Sequence, residues 1–174
     1  MPLLRNVRQN RGVAVVPERL ETPRLVLRTW READRTAFAA LHGGSDALLD
    51  DVLAHWRTHG FGVWAVERRD GVAPGLGLTG LVVPSFLCAA QPAAEIAWRL
   101  PRAWRGAGLA TEAARAALAC AWEALGARRV VCVVRPDNAA SIRVAERLGM
   151  RRGPDRVLPR TGERMRVLEI GAPR

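Results

Sequence analysis

The stretch from Trp98 to Leu118 restricts the possible folds of this chain more than any other. An apolar run halts at Pro101, a short basic loop carrying Gly106 and Gly108 follows, and an alanine-rich helix opens at about Gly108. The first turn of a helix leaves backbone N–H groups without internal partners and holds the positive end of the helix dipole. Glycines let a backbone approach a ligand closely, and Arg102 and Arg105 add fixed positive charge, so the loop suits a pyrophosphate. Two common phosphate patterns do not apply. The dinucleotide pattern G-x-G-x-x-G/A, counted from Gly106, ends on Thr111, and the Walker pattern fails because the chain has no lysine.

With 174 residues, 49% of them apolar, the chain can bury one sizeable core and reads as a single domain, without internal repeats or low-complexity linkers. Its net charge of +10 comes from arginines scattered through every segment, with no nucleic-acid motif among them. An anionic small molecule, which needs only a few of these side chains, is a better match than DNA or RNA. Cys88, Cys120 and Cys132 are odd in number and widely spaced, as expected of buried thiols in a reducing compartment rather than a disulfide frame or zinc site. With no signal-peptide pattern and no bilayer-length apolar stretch, the expected location is cytoplasmic.

Residues 1–19 read as an N-terminal arm, mobile or added at an edge, and residues 20–174 as the domain proper. The alternation in Arg24-Leu25-Val26-Leu27-Arg28 predicts a half-buried strand, and Thr29-x-x-Glu32 predicts a capping box opening a helix to about Leu41. A second helix is predicted from about Asp46 to His59, with Leu48, Leu49, Val52, Leu53 and Trp56 on one face. His55 and His59 stand one turn apart, but no glutamate follows the first and no third ligand is evident, so a surface or acceptor-lining role is the better reading. Residues 61–67 and 76–83 predict a hairpin, residues 93–100 the strand feeding the loop, and residues 108–125 a helix with Leu109, Ala113, Ala117, Cys120 and Ala121 inward. The continuous apolar run of residues 129–134 predicts a strand buried on both faces after a helical crossover. A helix over about 139–148 follows, and residues 151–158 and 164–170 close as a strand pair. This order defines an α/β domain with one mixed sheet.

Arg105-Gly106-Ala107-Gly108-Leu109-Ala110 resembles the R/Q-x-x-G-x-G/A signature of the GCN5-related N-acetyltransferases (GNAT). Three further pieces agree with that family: residues 24–28, Glu95-Ile96-Ala97-Trp98, and the run from Pro136 to Met150. The last resembles P-x-N-x-x-S-x-R-V-x-E-K-L-G-M of the branch containing ribosomal-protein-alanine and other N-terminal acetyltransferases. The resemblance implies a GNAT-like single domain with a central mixed, mostly antiparallel sheet flanked by helices, and acetyl-CoA as co-substrate without a metal. It implies coenzyme contacts from Ile96, Ala97, Trp98, Arg99, Leu100, Arg105, Gly106, Ala107, Gly108, Leu109, Ala110, Thr111, Asn138, Ser141 and Arg147.

Aminolysis of a thioester needs a base for the ammonium proton, donors for the developing oxyanion, and a proton for the departing thiolate. Glu95 is the expected base, with a pKa raised by apolar walls such as Trp98; the alternative is an outward-facing strand carboxylate. The resemblance implies that the oxyanion donors come from the strand before the loop, near Ile96 to Trp98. Many relatives protonate the thiolate with a tyrosine, which this chain lacks, leaving Ser141 as the expected donor or else a helix-surface serine. Asn138 is a helix cap or a contact to the coenzyme arm. No cysteine is placed for a covalent intermediate, so transfer is expected to be direct, in a ternary complex. The acceptor implied by the resemblance is a primary amine, with a protein N-terminus favoured by the branch. A small amine or antibiotic, transfer of succinyl, and a non-catalytic acyl-CoA sensor remain alternatives. Asp46, Asp50 and Asp51 form either an acidic entrance for a cationic acceptor or a solvated face, and an unpaired sheet edge allows a homodimer.

Overall fold

The computed structural model describes residues 15–72, 75–84, 93–158 and 161–173. Of the segment read as an arm, residues 1–14 fall outside these. Val16 is buried in the core and the Trp64 indole N–H donates to Pro17 O at 3.0 Å. The strands β1 (Arg19–Glu21), β2 (Leu25–Arg28), β3 (Val63–Arg68), β4 (Gly77–Val82) and β5 (Ala93–Arg99) pair antiparallel in chain order. Strand β6 (Arg129–Val134) joins β5 in parallel, as its reach through a helical crossover requires. On the far side β9 (Arg164–Gly171) pairs antiparallel with β6, and the short β7 (Arg151–Arg152) and β8 (Arg156–Val157) pair with β9. The sheet is therefore mixed and mostly antiparallel, with four α-helices on it among the described residues.

Helices α3 (Leu109–Glu123) and α4 (Ala139–Arg147) pack on one face of the sheet, and α1 (Arg35–Leu41) and α2 (Leu49–His59) on the other. Small residues Ala113, Ala114, Ala117 and Ala121 let α3 lie close on β4 and β5, whose Leu81, Ala94 and Ile96 share its core. The opposite layer is built from Trp30, Phe38, Leu49, Val63, Ala65 and Leu78. Strand parity divides β5 between the two: Ala94 and Ile96 enter the α3 core, while Ala97 packs toward the α1–α2 layer, which also places Glu95 and Arg99 on that face.

Several local expectations are corrected. The capping residue before α1 is not Thr29 with Glu32. Asp34 accepts the Arg31 N–H at 2.9 Å around a single turn, Glu32–Asp34, because Asp34 is already fixed by Arg28; Glu32 instead pairs with Arg35. Helix α2 starts later than Asp46, and Leu48, preceding its first turn, is 55% exposed instead of buried. The strand expected over residues 151–158 is interrupted at residues 153–155, where Gly153 N–H reaches Val167 O before the chain resumes pairing as β8.

Gly80 sets the closeness of β3 and β4. A Cβ there would lie 2.4 Å from both Gly62 O and Val63 Cα, both backbone atoms that cannot yield cheaply. Gly80→Ala is expected to lower unfolding stability by about 3 kcal/mol or more, read by urea denaturation.

Candidate active site

The site begins where a strand pair comes apart. Strand β5 stays paired with β4 from Glu95 to Arg99, but its pairing with β6 ends at Glu95 opposite Val131. Beyond that point β6 continues with β9 alone, so the two parallel strands form a fork with Glu95 at its base. One edge of Ile96–Arg99 is thereby released from the sheet ladder. Because β5 and β6 run parallel, both carboxyl ends lie at the open mouth, and each is followed by a helix N-terminus, α3 after β5 and α4 after β6. Crevices of this kind are the usual ligand sites of sheets containing parallel strands.

After Pro101, buried Trp104 anchors a single turn (Arg102–Trp104) in the core, and the chain emerges at exposed Arg105. Gly106 and Gly108 take φ of +82° and +76°, which L side chains rarely adopt, and Gly108 caps α3. The helical ladder begins with Glu112 N–H on Gly108 O. Among the described residues, no acceptor takes the N–H groups from Gly106 to Thr111. Six consecutive free amides on a loop and helix N-terminus make an anion nest, and the space where a Cβ on Gly106 would stand is open. The Thr111 hydroxyl is buried without a partner in the same turn. A groove of about 530 Å³ leads from the nest across the solvent side of α3, lined by Thr22, Arg24, Gly108, Glu112, Arg115 and Arg147 among others. Arg115 Nη2 donates to Arg147 O at 3.3 Å, so the end of α4 is tied to this groove. These features fit a coenzyme with a pyrophosphate.

Glu95 lies on the other face from that groove. Its cross-strand neighbours on its own face are Val82 and Val131; Trp98, expected as its apolar wall, is on the opposite face. Burial alone pushes the Glu95 carboxyl from an ordinary 4.5 up to about 7, and among the described residues no cation or donor offsets it. Nearby on this face, His55 Nδ1 bonds Phe61 O at 2.8 Å while its Nε2 accepts Val83 N–H at 3.2 Å. With both ring nitrogens used, His55 is neutral and not free to ligate a metal; burial pushes its pKa down. It fastens α2 to the chain beside Val82, the partner of Glu95.

At the mouth, Asn138 caps α4 by accepting the Ser141 N–H at 3.1 Å. The half-buried Ser141 hydroxyl has no hydrogen-bond partner among the described residues. Arg35 binds Asp46 and Asp50, at 3.1 and 2.8 Å, together with Glu32, while exposed Asp51 has no ion pair among the described residues, so the cluster stays acidic. Cys120 and Cys132 are buried thiols with pKa values pushed up to about 12 by burial, helped by the charges of Glu123 and Glu95 respectively, and Cys88 lies outside the described residues. Among the described residues, no group of three or more His, Cys, Asp or Glu could hold a metal, and no helix is long and apolar enough to cross a membrane.

Sequence reading did not identify the contact of Arg24 and Thr22 with Glu112, which joins residues about ninety positions apart. The only local signal was an acidic residue in the first turn of a helix predicted to hold an anion.

The forked sheet and the amide nest at its mouth suit an acyl-CoA-dependent acetyltransferase, and the family match shows that class. The family description "Acetyltransferase (GNAT) domain" matches residues 24–151, and the chain belongs to that family. Among solved structures it is similar to an acetyltransferase from Agrobacterium tumefaciens, with 28% identity, 95% of this chain and 99% of the other covered, and a TM-score of 0.71. A Bordetella pertussis protein assigned to the same family matches at 27% identity over 88% and 99% of the two chains, with a TM-score of 0.73. YncA of Salmonella typhimurium, solved with its cofactor acetyl-CoA, shares 17% identity over 84% and 93% of the chains with a TM-score of 0.66, a likeness of fold.

Proposed function

We propose that this enzyme moves an acetyl group from acetyl-CoA to a primary amine by direct attack in a ternary complex, with a protein N-terminus as the first acceptor to test. The observation that carries the reading is the division of β5. Its carboxyl end leads into an anion nest, and its other end presents a buried carboxylate with a pKa near 7 on the opposite face. The coenzyme would be held by Arg105 and the amides of Gly106–Thr111, with its arm along the released edge of Ile96–Leu100 and Asn138 and Arg147 beside it. Glu95 takes the ammonium proton so that the amine attacks as a neutral nucleophile, and N–H groups of Ile96–Trp98 receive the charge gathering on the carbonyl oxygen. The new C–N bond forms as the C–S bond breaks; Ser141 gives its proton to the departing sulfur and is reprotonated by the second proton that the acylated nitrogen loses, so Glu95 keeps the one net proton released.

The N-terminal acceptor rests on the similarity of residues 136–150 to the N-terminal acetyltransferase branch. The test is release of free coenzyme A with peptides of varied N-termini, polyamines, amino acids and aminoglycosides as acceptors. Ser141→Ala is expected to lower kcat by about tenfold with little change in KM for acetyl-CoA, the pattern of an interaction made only in the transition state. An unchanged kcat would remove Ser141 from the mechanism.

A further inference from the structure

Glu112 occupies the first turn of α3, immediately behind the nest. A carboxylate there gains from the helix dipole, but its charge also repels the anion that the amides would hold. In this fold it is fully engaged. Oε1 accepts from Thr22 Oγ1 at 2.6 Å and from Arg24 N–H at 3.0 Å, and Oε2 accepts from Arg24 Nε at 2.7 Å with Nη2 also at 2.7 Å. Burial favours its neutral form, yet these donors hold the carboxyl below the ordinary carboxylate range. The same guanidinium also reaches the loop, where Nη1 donates to Ala107 O at 2.8 Å.

That last contact sets a direction. In a trans peptide the carbonyl of one residue and the N–H of the next point opposite ways. Turning Ala107 O toward Arg24 therefore aims Gly108 N–H away from it, and that N–H has no acceptor among the described residues. We propose that Arg24 is the positioning residue of the nest: it neutralises Glu112 and fixes the Ala107–Gly108 peptide so that its N–H faces the coenzyme pyrophosphate. This rests on the coenzyme reading of the nest given above. Arginine suits the task because a single planar fork serves a carboxylate and a carbonyl together, which a lysine ammonium cannot do in the same geometry.

The test uses the full chain with Arg24→Ala and Arg24→Lys, measuring the Kd for coenzyme A by calorimetry, steady-state kinetics, and amide exchange of the apo protein at Glu112–Arg115. Expected for Arg24→Ala are a Kd weakened by about tenfold or more, kcat at saturating acetyl-CoA within about twofold of wild type, and faster exchange confined to the first turn of α3. Arg24→Lys should fall between the two. An unchanged Kd overturns the proposal, as does acceleration spread through β6 and α4, which would make Arg24 a general stability residue. A weaker Kd with unchanged exchange also overturns it, since Arg24 would then be a direct anion contact. If the wild type itself binds no coenzyme A, the coenzyme reading fails, and the exchange measurement alone decides whether Arg24 holds the loop.

Discussion

Glu95→Gln is expected to lower kcat/KM by about 10²- to 10⁴-fold, the usual contribution of a positioned base, while leaving the Kd for coenzyme A unchanged. The wild-type rate should rise with pH along a limb centred on about 7, where burial has placed this carboxyl, and the variant should lose that limb. Stability should move the other way. The native state holds the Glu95 proton more tightly than the unfolded chain, so wild-type stability falls as pH rises from about 4.5 to about 7 and remains lower above it. Glutamine carries no charge to desolvate. The variant should therefore match the wild type below pH 4.5 and exceed it at pH 8 by up to about 3 kcal/mol, read by urea melts at both pH values. A gain in stability combined with a loss of activity would mark the carboxylate as kept for its chemistry. If the variant retains its rate limb, the base lies elsewhere.

Much of this site was legible because it is local. A strand stop, two glycines and an alanine-rich helix lie within about twenty residues, and each piece follows from backbone rules that need no tertiary partner. The caps at Asn138 and the inward residues of α3 were legible for the same reason. What was missed depends on partners distant in the chain. The fork is not written in β5, whose residues alternate as in an ordinary strand; it arises because β6 follows β9 after Val131. The wall around Glu95 was misassigned because Trp98 is close in sequence but three positions along a strand, which is the opposite face. The expected Thr29 capping box lost to Asp34, which Arg28 had already placed.

Arg28 is where the second large effect is expected. Its side chain, 11% exposed, forms a two-pronged pair with Asp34, Nη1 to Oδ2 at 2.6 Å and Nη2 to Oδ1 at 2.9 Å. Nε donates to Glu67 at 2.7 Å and Nη1 also reaches Thr29 O. One guanidinium thus joins the end of β2, the edge of β3 and the turn that launches α1, and so sets how the α1–α2 layer lies over the Glu95 face. Arg28→Ala leaves the nearly buried Asp34 carboxylate without its cation and should cost about 3–5 kcal/mol at pH 7. Burial opposes ionisation of Asp34, but the Arg28 and Arg31 contacts hold its carboxyl below the ordinary value of 3.8. For a lowered carboxyl the stabilisation is present above the unfolded pKa and disappears as pH falls through the folded one. The gap between wild type and variant should therefore be full at pH 6 and shrink below pH 4. Arg28→Lys should recover only part, since an ammonium cannot span both carboxylates and the carbonyl. At a temperature where the variant stays folded, the Kd for coenzyme A should be unchanged, because the nest is on the α3 side, while KM for the amine rises as the layer above Glu95 loosens. Equal losses on both substrates would show that Arg28 supports the whole sheet and not the acceptor face.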